Sequence, residues 1–414
     1  MSSVIISGDV SGSITLQAPS AAGSTVLTLP ATSGTIALTS GGGSPSFTTV
    51  TATTVATSNL TIGGTALGAG NASIMKNRII NGAMVIDQRN AGASIAGTSG
   101  LYPLDRFLYA ATQSSKGTLQ QNQGSVTLSA GFTNYLGFTT ASSGYSVLTG
   151  DTFYIAQRIE GYNVSDLGWG TASAKTVTLS FQVYSSLTGT FGGSLFNSTG
   201  DRSYPFSYTV SSANTWTQIS VTITGDTTGT WLKTNGIGIQ VGFGLGAGAT
   251  YSGTANTWAS TLYTQPTGTV SVVGTANATF YITGVQLEVG SSATGFEYRM
   301  YQQELALCQR YLPAINMTNS YYGGGQWYSS ASGTVSLAFP VTARVAPTGY
   351  TTTTGSLQFF APNGGVASGT VIFFTASQYA MVFNNATSSG NTAGYAATMG
   401  GTTALTILPT GCEL

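Results

Sequence analysis

The charged side chains are few and spread out: 12 basic and 12 acidic residues over 414 positions, with no histidine. A serine or cysteine nucleophile would lack its usual imidazole base. Glycoside hydrolysis needs two carboxyl groups about 5 to 9.5 Å apart. Glu297 and Glu304 are one pair to consider, but on a helix their seven-residue spacing is about 10.5 Å along the axis. The two cysteines, Cys308 and Cys412, are far apart in sequence and suggest neither a disulfide framework nor a metal site. GIGIQVGFGLGAG is glycine-rich but has no Lys-Ser/Thr ending, so it reads as a strand closely approached by another backbone rather than a phosphate loop. The expectation is a chain that is not an enzyme, with no catalytic residues, cofactor or metal.

Stacking and neutral hydrogen bonding are the chemistry that these residue types support. Sugars are held by aromatic faces together with amide and hydroxyl groups, and few charges are needed. Two stretches supply both. SYYGGGQWYSS carries Tyr321, Tyr322, Gln326, Trp327 and Tyr328 around a glycine run, and QYAMVFNNATSSGNTAGY carries Tyr379, Asn384, Asn385, Asn391 and Tyr395. Their Gly, Asn and Ser content places parts of both on loops. The competing role for each aromatic is to fill a core or a subunit interface. Trp169, Trp216, Trp231 and Trp258 form a second aromatic set, candidates to line a sugar cleft. Trp216 sits beside an alternating strand and reads as packing.

Strands must position most of these groups. Gly numbers 56, yet hydrophobic residues make up 41% with 21 Tyr and 18 Phe, a composition of all-β protein with many turns. Val177, Leu179, Phe181 and Val183 alternate with polar residues, as do Ile219, Val221 and Ile223. Phe280 and Ile282 begin a third strand, but beyond Gly284 the apolar set moves to Val285, Leu287 and Val289, which predicts a β-bulge at Gly284. Further strands are expected at 335–339, 357–360, 371–375, 381–383 and 405–408. FEYRMYQQELALCQRYL, 296–312, reads as the one helix, with Thr294 and Glu297 as a capping box and Pro313 as the stop. Tyr301, Leu305, Cys308 and Leu312 form its apolar stripe, which would pack on the chain's own sheets or line an axis between copies.

Charge is absent from Val10 to Met75 and again from Val345 to Cys412. The first stretch holds short alternations (Ile14/Leu16, Val26–Leu29, Ile36/Leu38, Leu60/Ile62) bounded by turn residues, as in a shaft of paired strands; a flexible linker is the alternative. Lys76, Arg78, Asp87, Arg89, Asp105 and Arg106 then concentrate at the start of the next region, where paired charges would pin a folded domain. Net charge is zero, so a basic footprint for nucleic acid is missing. No apolar run approaches the roughly 20 residues of a membrane span, and the start lacks the basic and apolar segments of a signal peptide.

SGSITLQAPSAAGSTVLTLPATSGTIAL resembles a segment near the start of phage tail fibre proteins. NRIINGAMVIDQR with YPLDRF, the 211–248 stretch, and FYITGVQLEVGSSATGFEYRMYQQELALCQRYLP resemble the phage tail fibre family whose central domain is a jelly-roll like those of carbohydrate-binding modules. The resemblance covers about residues 76 to 313 and implies an all-β virion component, commonly a homotrimer. The domains expected are an N-terminal virion-attachment shaft (1–75), a jelly-roll β-sandwich (76–294), a connecting helix (295–313) and a C-terminal β-sandwich tip (314–414). The implied role is adsorption to a host surface glycan or protein, with other phage tail proteins bound through the N-terminus. The chain would be made in the host cytoplasm and reside in the virion tail. A purely structural tail-tip, collar or head-fibre protein and a tailspike polysaccharide depolymerase are the alternatives.

Overall fold

The computed structural model describes residues 3–7, 13–17, 60–62, 65–67, 76–317, 322–353, 355–360, 365–367, 369–386, 391–401 and 403–414. The chain divides into a unit Met1–Ser58 and a unit Asn59–Leu414. Within the first, Ser3–Ser7 pairs antiparallel with Ser13–Gln17, the strand that carries Ile14 and Leu16. The alternations at Val26–Leu29 and Ile36/Leu38, and with them the choice between shaft and linker, lie outside the described residues. The second unit opens with a hairpin of Leu60–Ile62 and Thr65–Leu67.

Two antiparallel sheets then form a sandwich. Six strands run in the order Thr217–Ile223, Val177–Ser185, Thr279–Val289, Leu136–Thr140, Gly117–Gln121 and Ile95–Ala96. Five run in the order Ser203–Val210, Gly189–Phe196, Ile237–Ala247, Thr152–Glu160 and Phe107–Ala111. The alternating residues of the sequence meet between them: Phe181 packs edge-on against Phe243 at 5.0 Å, with Leu179, Val183, Val241 and Phe280 fully buried around them. Each such side chain contributes about 1.5–3 kcal/mol on leaving water. The glycines of Ile237–Ala247 sit where neighbours come close, and a Cβ at Gly238 would lie 2.7 Å from the Gly161 backbone.

The bulge lies where the pattern places it. Ser180 pairs with Gln286 and Gln182 with Thr283, so Phe181 alone faces Gly284 and Val285. Gly284 takes φ 61, the left-handed region that a bulge of this kind assigns to glycine. The bulge turns Val285 toward the incoming chain: its N–H donates to the Gly82 carbonyl, and its carbonyl accepts from Asn77 Nδ2 at 3.0 Å.

The helix is shorter than its pattern, running Tyr301–Gln309 rather than 296–312. Thr294 and Glu297 do not cap it. Thr294 donates through N and Oγ1 to the Glu288 carboxylate, and Glu297 accepts from the Asn77 N–H. The buried face is also rotated from the apolar stripe. Glu304 turns inward because it accepts from the Asn81 N–H and pairs with Arg299 at 3.4 Å. Cys308 and Tyr311 share a cluster with Ile80 and Ile86, and Leu312 is buried too, whereas Tyr301 is 59% exposed.

A second sandwich follows. Its small sheet joins Ile315–Met317, Leu405–Thr410 and Gly349–Thr352. Its large sheet runs Leu357–Phe360, Ala396–Gly401, Tyr322–Trp327, Gly333–Ala338, Ala380–Ala386 and Thr370–Ala376. The five strands expected in this region, at 335–339, 357–360, 371–375, 381–383 and 405–408, appear. The glycine run expected in a loop is instead the strand Tyr322–Trp327: a Cβ at Gly325 would stand 1.8 Å from the Thr334 carbonyl, so the glycines permit close pairing. Trp327, Val335, Phe359, Phe383 and Met399 fill the core. The described architecture is almost entirely β, with one α-helix among the described residues. None of the described helices is long and apolar enough to cross a membrane.

Candidate functional site

The two aromatic-amide stretches meet at one end of the distal sandwich. Trp327 pairs with Gly333 and Gly333 with Asn385, which puts Trp327 and Asn385 on the inward face. One residue on, Gln326 pairs with Thr334 and Thr334 with Asn384, so the strand period sends Gln326 and Asn384 outward. The chain then leaves the sheet. Trp327 N–H donates to the Tyr395 carbonyl at 2.8 Å, and Tyr328 N–H closes a turn on Ser332 at 3.1 Å. Tyr328 is 52% exposed and Tyr395 54% exposed. Two tyrosines on adjoining loops, with two amide side chains on the neighbouring sheet face, make a neutral surface for stacking and hydrogen bonding.

Tyr379 stands elsewhere. Ala338 pairs with Ala380 and Phe339 N–H donates to the Tyr379 carbonyl, at the opposite end of the same strands. That end adjoins the jelly-roll. Gln378 Nε2 donates to the Arg344 carbonyl at 2.8 Å, and Arg344 Nη1 reaches the Asn235 carbonyl at 2.9 Å. Tyr322, half-buried, begins its strand opposite Met399, away from Trp327. Tyr321 lies outside the described residues.

Beneath the Tyr328/Tyr395 end, Trp327 Nε1 and both amide atoms of Asn385 are buried without a hydrogen-bond partner among the described residues. The register, not the local sequence, places Trp327 and Asn385 inward, and no sequence signal tells that their polar atoms go unpaired.

The joint between the sandwiches has the opposite chemistry. Glu413 receives Arg89 Nη2 at 2.7 Å and Arg106 Nη1, and the Arg106 side chain is 1% exposed. Arg158 Nη1 and Tyr102 Oη donate to the Leu414 main-chain carbonyl, and Arg344 donates to the carbonyls of Cys412 and Glu413. The Arg106 guanidinium lies 3.5 Å from the centre of the Tyr311 ring. Burial raises the Asp105 carboxyl to about 6, against the pull of Arg89 and two hydrogen bonds from Gln88. Burial also acts on Glu160, but the bonds from Arg310 and Tyr311 outweigh it and hold that carboxyl below its ordinary value. Several of the charges from Lys76 to Arg106 therefore do pin the start of the domain: Lys76 on the Gly295 carbonyl, Arg78 on Asp166, and Arg89 and Arg106 on Glu413.

The tryptophans of the jelly-roll pack together. Trp169, Trp231 and Trp258 meet edge-to-face at 4.8, 5.5 and 5.6 Å, and each Nε1 donates to a main-chain carbonyl. Trp216 packs on Tyr135 and Tyr184, outside the six-stranded sheet. A cleft of about 180 Å³ opens where Phe132, Phe296 and Tyr298 gather over Gly284. In the sequence its only signs are the bulge and the FEY run. Arg299, on its wall, lies 3.5 Å from Glu297 and 3.4 Å from Glu304, the carboxylates weighed for catalysis.

No protein-family model matches the sequence, and no curated protein does. Solved structures do. One is the enzymatically active domain of tailspike protein 4 of bacteriophage CBA120, at 11% identity and TM-score 0.28, covering 52% of this chain and 22% of that one. Another is the family 11 carbohydrate-binding module of the cellulosomal cellulase Lic26A-Cel5E of Clostridium thermocellum, at 11% identity and TM-score 0.23, covering 49% of this chain and 99% of that module. A third, with carbohydrate-binding and GH10 modules, is the N-terminal xylanase 10B of the same organism in complex with xylohexaose, at 14% identity and TM-score 0.25 over 50% of this chain and 30% of that one. The expectation that the chain is not an enzyme is corrected by the first of these: an enzymatically active tailspike domain stands among the structures it matches, and that expectation is withdrawn.

Proposed function

We propose that this chain is a phage tail fibre component that adsorbs to host cells by binding a surface glycan at the Tyr328/Tyr395 end of its distal sandwich. The observation that carries the reading is the convergence of two separate stretches into one exposed surface of two tyrosines and two amides. The sequence resemblance of residues 11–38 and of about 76–313 supplies the fibre context, with attachment to other tail proteins through the N-terminus. In that context copies associate, as a trimer in the fibre. The exposed Tyr298, Met300 and Tyr301 at the start of the helix are the apolar side chains available for such contact. Three weak sites on one fibre raise avidity by about 10²-fold or more where geometry allows.

The test is adsorption. The chain carrying Tyr328→Ala and Tyr395→Ala should compete with phage for host cells at least tenfold less well than wild type. Equal competition by the variant overturns the assignment of this end. Release of new reducing ends from the same surface polysaccharide shows whether hydrolysis accompanies binding.

A further inference from the structure

We infer that Asn385 and the Trp327 indole N–H form a polar floor beneath the Tyr328/Tyr395 surface, which reads an uncharged hydrogen-bonding group on a neutral saccharide. The inference rests on the glycan reading of this end. Trp327 and Asn385 flank Gly333 on the inward face, and the Trp327 ring lies over that glycine, 2.7 Å from where a Cβ would be. Their three polar atoms are buried, and none has a partner among the described residues. Buried polar groups in native proteins are almost always paired, because an unpaired one is destabilising. The surrounding core is apolar, with Val335, Phe359 and Phe383. A leucine at 385 would suit that core better than an amide, so the amide points to a use other than stability.

The chemistry of the floor defines what it takes. The indole offers a donor, and the amide offers a donor and an acceptor. An acetamido or hydroxyl group satisfies such a set. A carboxylate, sulfate or phosphate calls for a cation instead. From Tyr311 to Cys412 the only charged residue is Arg344, and it is held at the opposite end on the carbonyls of Asn235, Cys412 and Glu413. The ligand group enters between the 328–332 turn and the 391–395 loop, the latter tied to the Trp327 main chain by bonds with Tyr395 and Gly394.

The full chain, wild type and Asn385→Leu, is tested on a printed array of neutral oligosaccharides (hexoses and N-acetylhexosamines) and acidic ones (uronates and sialosides). Wild type should bind neutral members, and Asn385→Leu should bind the best of them at least tenfold less tightly. The same variant should unfold at a midpoint about 2 °C higher, since it removes an unpaired polar group. Trp327→Phe removes the indole donor and keeps a ring; it decides the matter if the leucine variant does not fold. Unchanged affinity in the variants overturns the floor while leaving the glycan site standing. Preference for acidic members overturns the neutral class. If the wild-type chain binds no member of the array, the glycan reading falls and this inference with it.

Discussion

At the joint between the sandwiches, four arginines (Arg89, Arg106, Arg158 and Arg344) converge on residues 412–414. At the other end of the distal sandwich there is no charged residue, and neither the Asn385 amide nor the Trp327 indole N–H has a partner among the described residues, whereas at the joint Arg89 Nη1 and Arg106 Nε go without a hydrogen bond on guanidiniums held through their other nitrogens. A chain with only 6% charged residues has gathered many of them at one seam. The difference separates two demands. A seam within one chain can be closed by complementary charges that never leave each other. A surface that must hold a neutral ligand keeps neutral donors and acceptors, and some are satisfied only by that ligand.

Cutting the seam should give the largest effect. Glu413→Ala leaves Arg106 buried without its carboxylate. Removing one partner of a buried pair costs about 3–5 kcal/mol. The loss should appear as faster amide exchange throughout the distal sandwich and a lower unfolding midpoint. Undiminished protection would mean that Arg158 and Arg344, through the carbonyls of residues 412–414, hold the seam alone.

Next in size is the bulge that brings the 77–82 segment to the seam. Gly284→Ala forces a side chain into φ 61 and sets a Cβ 2.5 Å from the Phe132 ring. A left-handed non-glycine costs about 1–2 kcal/mol, and the clash adds to it. Chemical denaturation reads the change directly. A variant as stable as wild type would show that the Phe132, Phe296 and Tyr298 group moves aside freely. By contrast, the paired Tyr328→Ala and Tyr395→Ala variant should shift stability by less than about 0.5 kcal/mol while losing adsorption, because exposed loop side chains bear little of the fold.

The two regions also differ in how far the sequence announces them. Strand alternation gave three of the jelly-roll strands, the bulge at Gly284 and five strands of the distal sandwich, because a period of two survives whatever the strands pack against. Helical periodicity served less well. Counting apolar residues alone put Tyr301 on the buried face, whereas Glu304 is drawn inward by the Asn81 N–H and Arg299, contacts made 5 to 223 residues away. The glycine run at Gly323 to Gly325 looked like a loop because the Thr334 backbone that it approaches is not visible from local composition. For the candidate end, residue type pointed to Gln326, Tyr328, Asn384 and Tyr395. Only the register showed that Tyr379 belongs to the other end.

A pH dependence at the seam is also expected, and its sign separates two carboxyls. Asp105 has its folded value raised to about 6 from 3.8, chiefly by burial, with Arg89 and Gln88 opposing and Glu413 assisting. The folded chain then binds this proton more tightly than the unfolded one. Its contribution is therefore greatest at low pH and is lost as pH rises through the interval from 3.8 to about 6. Glu160 runs the other way: its folded value lies below 4.5, so its contribution is present above that pH and fades as pH falls through the folded value. Asp105→Asn should steepen the rise of stability with pH between 4 and 6 by up to about 1 kcal/mol per unit. Glu160→Gln should flatten the acid limb below 4.5. Urea unfolding from pH 3 to pH 7 distinguishes them. Identical slopes in wild type and Asp105→Asn would mean that Asp105 keeps its proton balance on unfolding, and that the Arg89 contact alone compensates for its burial.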